Sequence, residues 1–247
     1  MQLSLLGTGA VNAAPLRGCD CPACHRARQQ PAYARGPTCA RLDTAGLSLL
    51  IDAGSPDFGA AYDAAPAEAL LLTHFHMDHV QGLFPFRWGL APTLPVYTPD
   101  DPDGCADLLR IPGCLGFETV APFQSLRLGQ LVITPVPLQH SKPTLGYVCQ
   151  EGDHRVAYLT DTCGLPDDTR AFLAQRPPET LVLDCAHPPG GGHGNHNTID
   201  DARATHQAIG PRQTLLTHIS HHLDEWLIEH PHTLPGGITA ATDGQVI

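Results

Sequence analysis

Short apolar runs that end in polar residues recur along the chain, which is typical of buried strands that run into loops. Four such runs, at 69–72, 132–138, 156–159 and 214–216, are each followed within a few residues by a side chain that can bind a metal ion. In an α/β fold, the loops at the carboxyl ends of the strands usually carry the chemistry. The pattern therefore predicts one metal site assembled from strands that are far apart in the chain.

The densest group of candidate ligands follows the first run, where three histidines and one aspartate fall within six positions: His74, His76, Asp78 and His79. In extended backbone the first two histidines point to the same side, and the other two residues begin a predicted helix that can face back. Imidazole suits zinc, manganese or iron. A polar surface turn is the alternative, but it is disfavoured because ligand types recur after the later runs, at His140, Asp161 and His218.

A second cluster lies near the N-terminus, where the sequence GCDCPAC contains three closely spaced thiols: Cys19, Cys21 and Cys24. Three thiolates this close form a soft-ligand group that suits zinc, and a structural zinc site normally has four ligands. Three unrelated free thiols are the alternative interpretation. The residues alone leave the fourth ligand open among four candidates: His25, Cys39, His221 and His222.

The composition argues against several classes of function. No apolar stretch reaches the ~20 residues that a transmembrane helix requires, and MQLSLLGTGA lacks the basic start of a signal peptide, so we expect a cytoplasmic protein with no membrane partner. Nine cysteines, an odd number without a secretion signal, favour reduced thiols and metal ligands over a disulfide framework. A formal charge of −11 argues against a nucleic-acid partner.

We expect one domain over residues 1–247, because neither an internal repeat nor a linker divides the chain. The clearest helix is predicted from an N-cap at Thr198 to about Ile209, where Gly210 and Pro211 end it. Further helices are predicted at 166–175 and 223–229.

Two details of the predicted strands bear on the site. Pro135 and Pro137 indicate that the strand at 131–138 is irregular or lies at a sheet edge, because proline has no N–H to donate. Asp52 follows another predicted strand. It is either a turn residue or a carboxylate that orients a ligating histidine.

The H-x-H-x-D-H motif, with a later His, Asp and His, resembles the metallo-β-lactamase superfamily over nearly the whole chain. The resemblance implies an α/β (α+β) fold, a four-layer αββα sandwich, with a zinc-binding loop inserted at 14–40. It also implies two divalent cations in one catalytic site, with Asp78 taking part in catalysis. By resemblance, one cation is held by His74, His76 and His140, the other by Asp78, His79 and His218, and Asp161 bridges them.

Further motifs resemble one family within this superfamily, the phosphoribosyl cyclic phosphodiesterases of the carbon–phosphorus lyase pathway (the PhnP family). They are the C-x-C-x2-C cluster, the segment VQGLFPFRWG, the triplet His140-Ser141-Lys142 and the run LLTHISH at 215–221. The resemblance implies that His221 completes a structural zinc site. It implies manganese in the catalytic pair, with zinc or iron as alternatives, and hydrolysis of 5-phosphoribosyl 1,2-cyclic phosphate to ribose 1,5-bisphosphate in phosphonate catabolism.

The same resemblance implies a general-acid histidine in an Asn-His pair before a helix, which Asn195 and His196 match. His193, in the same glycine-rich loop, is the alternative. Lys142 is either a contact for a substrate phosphate or a solvated lysine. We expect a small phosphorylated sugar as the substrate and a homodimer as the assembly.

Three other functions are open on the same fold. A thioester or lactone hydrolase uses similar metal ligands. A transfer-RNA 3′ processing nuclease is disfavoured by the acidic charge balance and by the lack of a basic arm. A non-catalytic protein of pyrroloquinoline quinone biosynthesis would share the fold and a similar cysteine insertion, but the complete set of ligand types here argues against it.

Overall fold

A computed structural model of the chain describes residues 1–192 and 194–247. Its strands are β1 Gln2–Gly7, β2 Cys39–Thr44, β3 Leu47–Ile51, β4 Ala69–Leu71, β5 Leu94–Thr98, β6 Leu115–Thr119, β7 Leu126–Leu128, β8 Leu131–Pro137, β9 Leu145–Glu151, β10 His154–Leu159, β11 Thr180–Asp184, β12 Gln213–Thr217, β13 Ile238–Ala240 and β14 Gln245–Val246.

The helices connect these strands and cover their outer faces. They are α1 Pro22–Gln29, α2 Phe58–Ala64, α3 Met77–Val80, α4 Ala106–Arg110, α5 Asp167–Gln175, α6 Ile199–Ile209 and α7 His221–Glu229, with 3₁₀ segments at Pro31–Tyr33 and Gln81–Trp88. None of the described helices is long and apolar enough to span a membrane.

Within the described residues, the strands form two seven-stranded mixed sheets. The strand order is β14-β1-β2-β3-β4-β5-β6 in the first sheet and β13-β12-β11-β10-β9-β8-β7 in the second. In each sheet, three antiparallel pairs lie on one side and three parallel pairs on the other. The parallel strands β4, β10 and β12 lead into the loops that carry His74, Asp161 and His218.

Three buried apolar clusters separate four layers of secondary structure. The central cluster packs the inner faces of the two sheets against each other, with Leu5, Ile51, Tyr147 and Val182 among its members. One outer cluster covers the first sheet with Phe58, Leu83 and Leu108, and the other covers the second sheet with Leu173, Ile209 and Leu223. The order is helix, sheet, sheet, helix, so the predicted αββα sandwich is confirmed.

The predicted helix after Thr198 is confirmed at both ends. The Thr198 hydroxyl accepts the Asp201 N–H, and the Asp201 carboxylate accepts the Thr198 N–H, so the two residues form a capping box. Gly210 ends the helix at a φ of 73°, a conformation that glycine adopts without steric cost. The helix fixes the chain just after the loop that carries His196.

The prolines of β8 lie where the strand has a partner on one side only. β7 pairs with Leu131–Ile133 and then ends, whereas β9 continues opposite Pro135 and Pro137. The missing N–H groups of the two prolines therefore cost no ladder hydrogen bond on the β7 side. The predicted sheet-edge position is confirmed for this half of β8, which leads directly to His140.

The cysteine loop has a small core of its own. Ala14, Ala23, Cys24 and Ala27 pack together, and Ile228 of α7 packs against them. Helix α1 was not expected from the sequence, because its buried face consists of small residues that give little apolar periodicity. The packing on α7 ties this loop to the segment that follows His218.

Candidate metal centre

One carboxylate oxygen lies at the centre of the predicted ligands. Asp161 Oδ2, from the loop after β10, lies 3.4–3.7 Å from four imidazole Nε2 atoms: those of His74, His79, His140 and His218. Together with Asp161 these histidines come from four strand ends, because His74 and His79 both follow β4. A carboxylate in this position can bridge two cations, as the resemblance implies for Asp161.

Three histidines gather on one side of Asp161. His76 Nδ1 lies 2.9 Å from His74 Nε2 and 3.1 Å from His140 Nε2. One nitrogen of each ring and one oxygen of Asp161 lie within 4.8 Å of one another, which is the geometry of a group that can hold one ion.

A second group shares the other side. Asp78 Oδ2 lies 3.6 Å from His79 Nε2 and 3.6 Å from His218 Nε2. His218 has a φ of 57°, a left-handed conformation that is uncommon for histidine and turns its ring toward this group. The structure thus brings together both sets of residues that the sequence predicts as ligands.

Neighbouring acceptors orient three of the rings. His79 Nδ1 donates to Asp52 at 2.8 Å, His140 Nδ1 donates to the carbonyl of Asn195 at 3.1 Å, and His74 Nδ1 lies 3.0 Å from Thr73 Oγ1. With Nδ1 engaged in each ring, Nε2 is the nitrogen left for a metal. Asp52 itself has a φ of 61°, so both interpretations of this residue hold: it makes the turn and it orients a ligand.

Several buried nitrogens at this site have no hydrogen-bond partner within the described residues: His79 Nε2, His218 Nδ1 and His218 Nε2. A buried polar atom without a partner costs about 1–3 kcal/mol. Cations placed between these nitrogens and the carboxylates would use the free lone pairs and offset the buried negative charge. The residues therefore fit a pair of metal ions.

The electrostatics favour the metal-binding protonation state at His74 and Asp161 but not at His79. Burial, followed by the charge of nearby His79, lowers the pKa of His74 well below its usual value, so its ring is neutral. Burial alone would raise the pKa of Asp161, but the adjacent His218 and His79 hold it well below its usual range. Burial alone would lower the pKa of His79, but Asp161 and Asp52 raise it well above its usual value, so a metal bound there would displace its proton.

His196 lies beside this cluster, and its ring forms a further possible metal group with Asp161, Asp184 and His218. Its ring stacks on His218 with centroids 4.6 Å apart, and its Nδ1 donates to Asp184 Oδ2 at 2.7 Å. Burial alone would lower the pKa of His196, but the Asp184 carboxylate raises it to about 9. His193, the alternative general acid, lies outside the described residues.

Lys142 is engaged in an ion pair that the sequence did not predict. Its Nζ lies 3.1 Å from Asp101 Oδ2 and donates to the carbonyl of Gly104 at 3.4 Å. The pair joins the loop after β5 to the loop that carries His140, so it ties the two sheets together at this rim. Lys142 is therefore paired with a carboxylate and is not a free solvated lysine. Its contact with a substrate phosphate stays a prediction.

The four residues of the expected structural zinc site lie together. His221 Nδ1 is 3.6 Å from Cys19 Sγ and 3.5 Å from Cys21 Sγ, and Cys24 completes the group. Burial raises the pKa of the Cys24 thiol to about 12, so a cation is needed to keep it ionised. Of the candidates for fourth ligand, the described geometry brings His221 to the thiols.

The sequence patterns did not indicate some of the residues around the site. Thr73, Asp101 and the Asn195 carbonyl each hold a site residue in place. Thr73 and Asp101 do carry a signal, because each is a polar residue shortly after an apolar strand. The carbonyl contact could not be foreseen, since every residue has a carbonyl and only the folded loop directs this one.

The chain matches a known family model over most of its length. The model described as "Beta-lactamase superfamily domain" matches residues 48–219. A curated relative, the octanoyltransferase of Porphyromonas gingivalis, is 31% identical over 99% of this chain. The match covers 51% of that protein, so the chain spans about half the length of this relative.

Solved structures show the same architecture. A diphosphatase from the PhnP family has a TM-score of 0.82 and 28% identity, covering 100% of this chain and 96% of that chain. Zn²⁺-bound PqqB from Methylobacterium extorquens has a TM-score of 0.80 and 20% identity, covering 100% of this chain and 99% of that chain. The second likeness concerns the fold alone.

Proposed function

The chain belongs to the beta-lactamase superfamily and has the metallo-β-lactamase fold, and from this premise we propose that it is a metal-dependent phosphodiesterase acting on 5-phosphoribosyl 1,2-cyclic phosphate. Ribose 1,5-bisphosphate would be the single product, because hydrolysis of a cyclic diester releases no second fragment. The more general assignment, a hydrolase of the metallo-β-lactamase fold, does not depend on this substrate.

One observation carries the proposal: an acid beside a metal centre. His196 Nδ1 is held by Asp184, so Nε2 is the nitrogen that can donate a proton. The His196 side chain is 21% exposed, whereas Asp184 is fully buried. A protonated imidazole that is open on one side and backed by a buried carboxylate suits protonation of a departing sugar oxygen.

In the proposed reaction, the oxygen of a water molecule bonds to phosphorus and the bond from phosphorus to the 2-oxygen breaks. The His196 Nε2 proton passes to the 2-oxygen, and the water proton is lost to solvent. The phosphate then stays on carbon 1 as a monoester. General-acid assistance of this kind typically contributes roughly 10²–10⁴-fold to the rate.

The metal ions would be held by the two groups that meet at Asp161: His74, His76 and His140 on one side, and Asp78, His79 and His218 on the other. When bound, such ions lower the pKa of water and polarise phosphoryl oxygens. We propose manganese for this pair, since imidazole with carboxylate suits it, and zinc for the thiolate cluster.

A substrate panel tests the proposal. The manganese-loaded protein is assayed on the cyclic phosphate, an acyl thioester and a lactone at equal concentrations. We expect kcat/KM for the cyclic phosphate to exceed both others by at least ~10²-fold. A higher value for the thioester or the lactone would reject the phosphodiesterase assignment.

An acyl-ester or acyl-thioester hydrolase is the second candidate, and one observation favours it. A cavity of about 440 Å³ opens beside the loop that carries His140 and is lined mainly by apolar residues, including Pro99, Val120, Leu138 and Leu145. An acyl chain would fit such a wall better than a sugar phosphate would. The relative named as an octanoyltransferase is consistent with this candidate.

Replacing a wall residue distinguishes the two candidates. Val120→Asp would place a charge in the apolar cavity, so an acyl-chain substrate should show a KM raised by about tenfold or more. The phosphodiesterase proposal expects the KM for the cyclic phosphate to change less than twofold in the same variant.

A further inference from the structure

A second cavity shares one residue, Asp78, with the candidate metal centre. Its volume is about 350 Å³, within the roughly 300–1,000 Å³ of typical ligand sites. Asp78, a member of the predicted ligand set, forms part of its wall, and the rest comes largely from the segment 10–17 that follows β1. The cavity therefore adjoins the candidate metal centre on the side of Asp78.

Among the described residues, one cation that lines the cavity has no carboxylate partner. Arg17 is exposed, and within residues 1–192 and 194–247 no carboxylate oxygen lies within 4.0 Å of its guanidinium. Arg35 also lines the cavity, but its Nε and Nη2 donate to Asp224 at 2.7 and 2.9 Å. Arg17 is thus the guanidinium that can meet an anionic ligand here.

The backbone beside Arg17 is anchored to the cysteine cluster. The Leu16 N–H donates to Cys24 Sγ at 3.2 Å, and the Leu16 carbonyl accepts from Arg28 Nη2 at 3.1 Å. On the other side of Arg17, Cys19 belongs to the cluster itself. The cluster therefore fixes the backbone on both sides of Arg17, which reduces the backbone entropy lost when a ligand binds.

We propose that Arg17 and this cavity bind a phosphomonoester group of the substrate while its cyclic diester lies at the metal centre. The inference rests on the proposed function and adds to it the site of the 5-phosphate. The guanidinium matches phosphate oxygens in a two-pronged contact. The apolar walls formed by Ala10, Val11 and Leu16 would contact the sugar ring.

A comparison of two substrates tests the site in the manganese-loaded enzyme. They are 5-phosphoribosyl 1,2-cyclic phosphate and the same compound without the 5-phosphate. Arg17→Ala should lower kcat/KM about 10–100-fold on the first, mainly through KM, because a charged hydrogen bond is lost. On the second, the change should stay below twofold. Arg127→Ala, an exposed arginine on β7, is the matched control, and equal losses on both substrates would overturn the inference.

A binding measurement separates this inference from the proposed reaction. Calorimetry measures the Kd of ribose 5-phosphate and of ribose with wild type, Arg17→Ala and Arg17→Lys. We expect a Kd for ribose 5-phosphate at least tenfold weaker in Arg17→Ala and partly recovered in Arg17→Lys. If this weakening of the Kd is observed but the cyclic phosphate is not hydrolysed, the proposed reaction is rejected and the phosphate site is supported. An unchanged Kd, or no binding by wild type, rejects the site.

Discussion

The Nδ1 atom of His196 lies 2.7 Å from the buried Oδ2 of Asp184, and one face of the same imidazole stacks on His218. Asp184 also accepts the backbone N–H groups of Thr162 and Asn197. The carboxylate is thus fixed by its own partners, and it fixes His196 in turn. The contact with Asp184 therefore orients the imidazole of His196.

Removing the imidazole should affect substrates according to their leaving groups. In His196→Ala, kcat on the cyclic phosphate should fall roughly 10²–10⁴-fold, because the sugar oxygen leaves poorly without a proton. On bis(4-nitrophenyl) phosphate the fall should be less than about tenfold, since nitrophenolate leaves without one. Steady-state kinetics with both compounds measures the two losses.

His154→Ala is the control for that comparison, because His154 is 68% exposed at the start of β10, at the opposite end of that strand from Asp161. It should leave both rates unchanged. Equal losses on both substrates in His196→Ala would argue that this histidine supports the metals, and metal analysis of the same sample would then show the deficit.

The contact with Asp184 should also set the alkaline limit of activity. Burial would lower the pKa of His196, yet Asp184 raises it to about 9. The acid form is needed, so activity falls as the pH rises through this value. Asp184→Asn removes the negative charge, lowers the pKa of His196, and should move the alkaline limb of the kcat profile to lower pH. An unmoved limb would show that another group sets it.

Asp161 should matter first for metal binding. Asp161→Ala removes the oxygen shared by both groups of ligands, so manganese affinity should fall at least ~10–100-fold, a loss already typical of residues that only orient ligands. Metal content after dialysis, measured by mass spectrometry, reports this directly. Asp167→Ala, at an aspartate 88% exposed on α5, should retain the wild-type content. Wild-type content in Asp161→Ala would contradict the bridging role.

The thiolate cluster should act on stability more than on chemistry. Cys21→Ala removes one of the four residues that surround the expected zinc, and a structural zinc contributes folding free energy. A loss of about 3 kcal/mol would lower the Tm by roughly 6–12 °C in a chain of this size. Calorimetry should show this fall, while Cys105→Ala, outside the cluster, should lower the Tm by much less. Equal values for the two variants would contradict the zinc assignment.

The sequence predicts this site well where ligands follow strands. His74, His140, Asp161 and His218 each come shortly after an apolar run, and the carboxyl ends of such runs meet at one rim of a layered α/β fold. The capping box at Thr198 and the helix end at Gly210 are likewise local, so the residues within a few positions determine them.

Contacts between distant loops could not be read from the sequence in the same way. The partner of Lys142 is Asp101, but the same loop also carries Asp100 and Asp103, which would have been equally acceptable partners. Helix α1 buries only small side chains, so its apolar period is weak. These features depend on how the two sheets stack, which no short pattern encodes.

The most direct test of the central claim is phosphorus NMR of the manganese-loaded protein with 5-phosphoribosyl 1,2-cyclic phosphate. We predict loss of the cyclic diester signal and growth of a phosphomonoester on carbon 1, beside an unchanged 5-phosphate. A cyclic signal that persists in the presence of fully metal-loaded protein, or a monoester that forms on carbon 2, would contradict it.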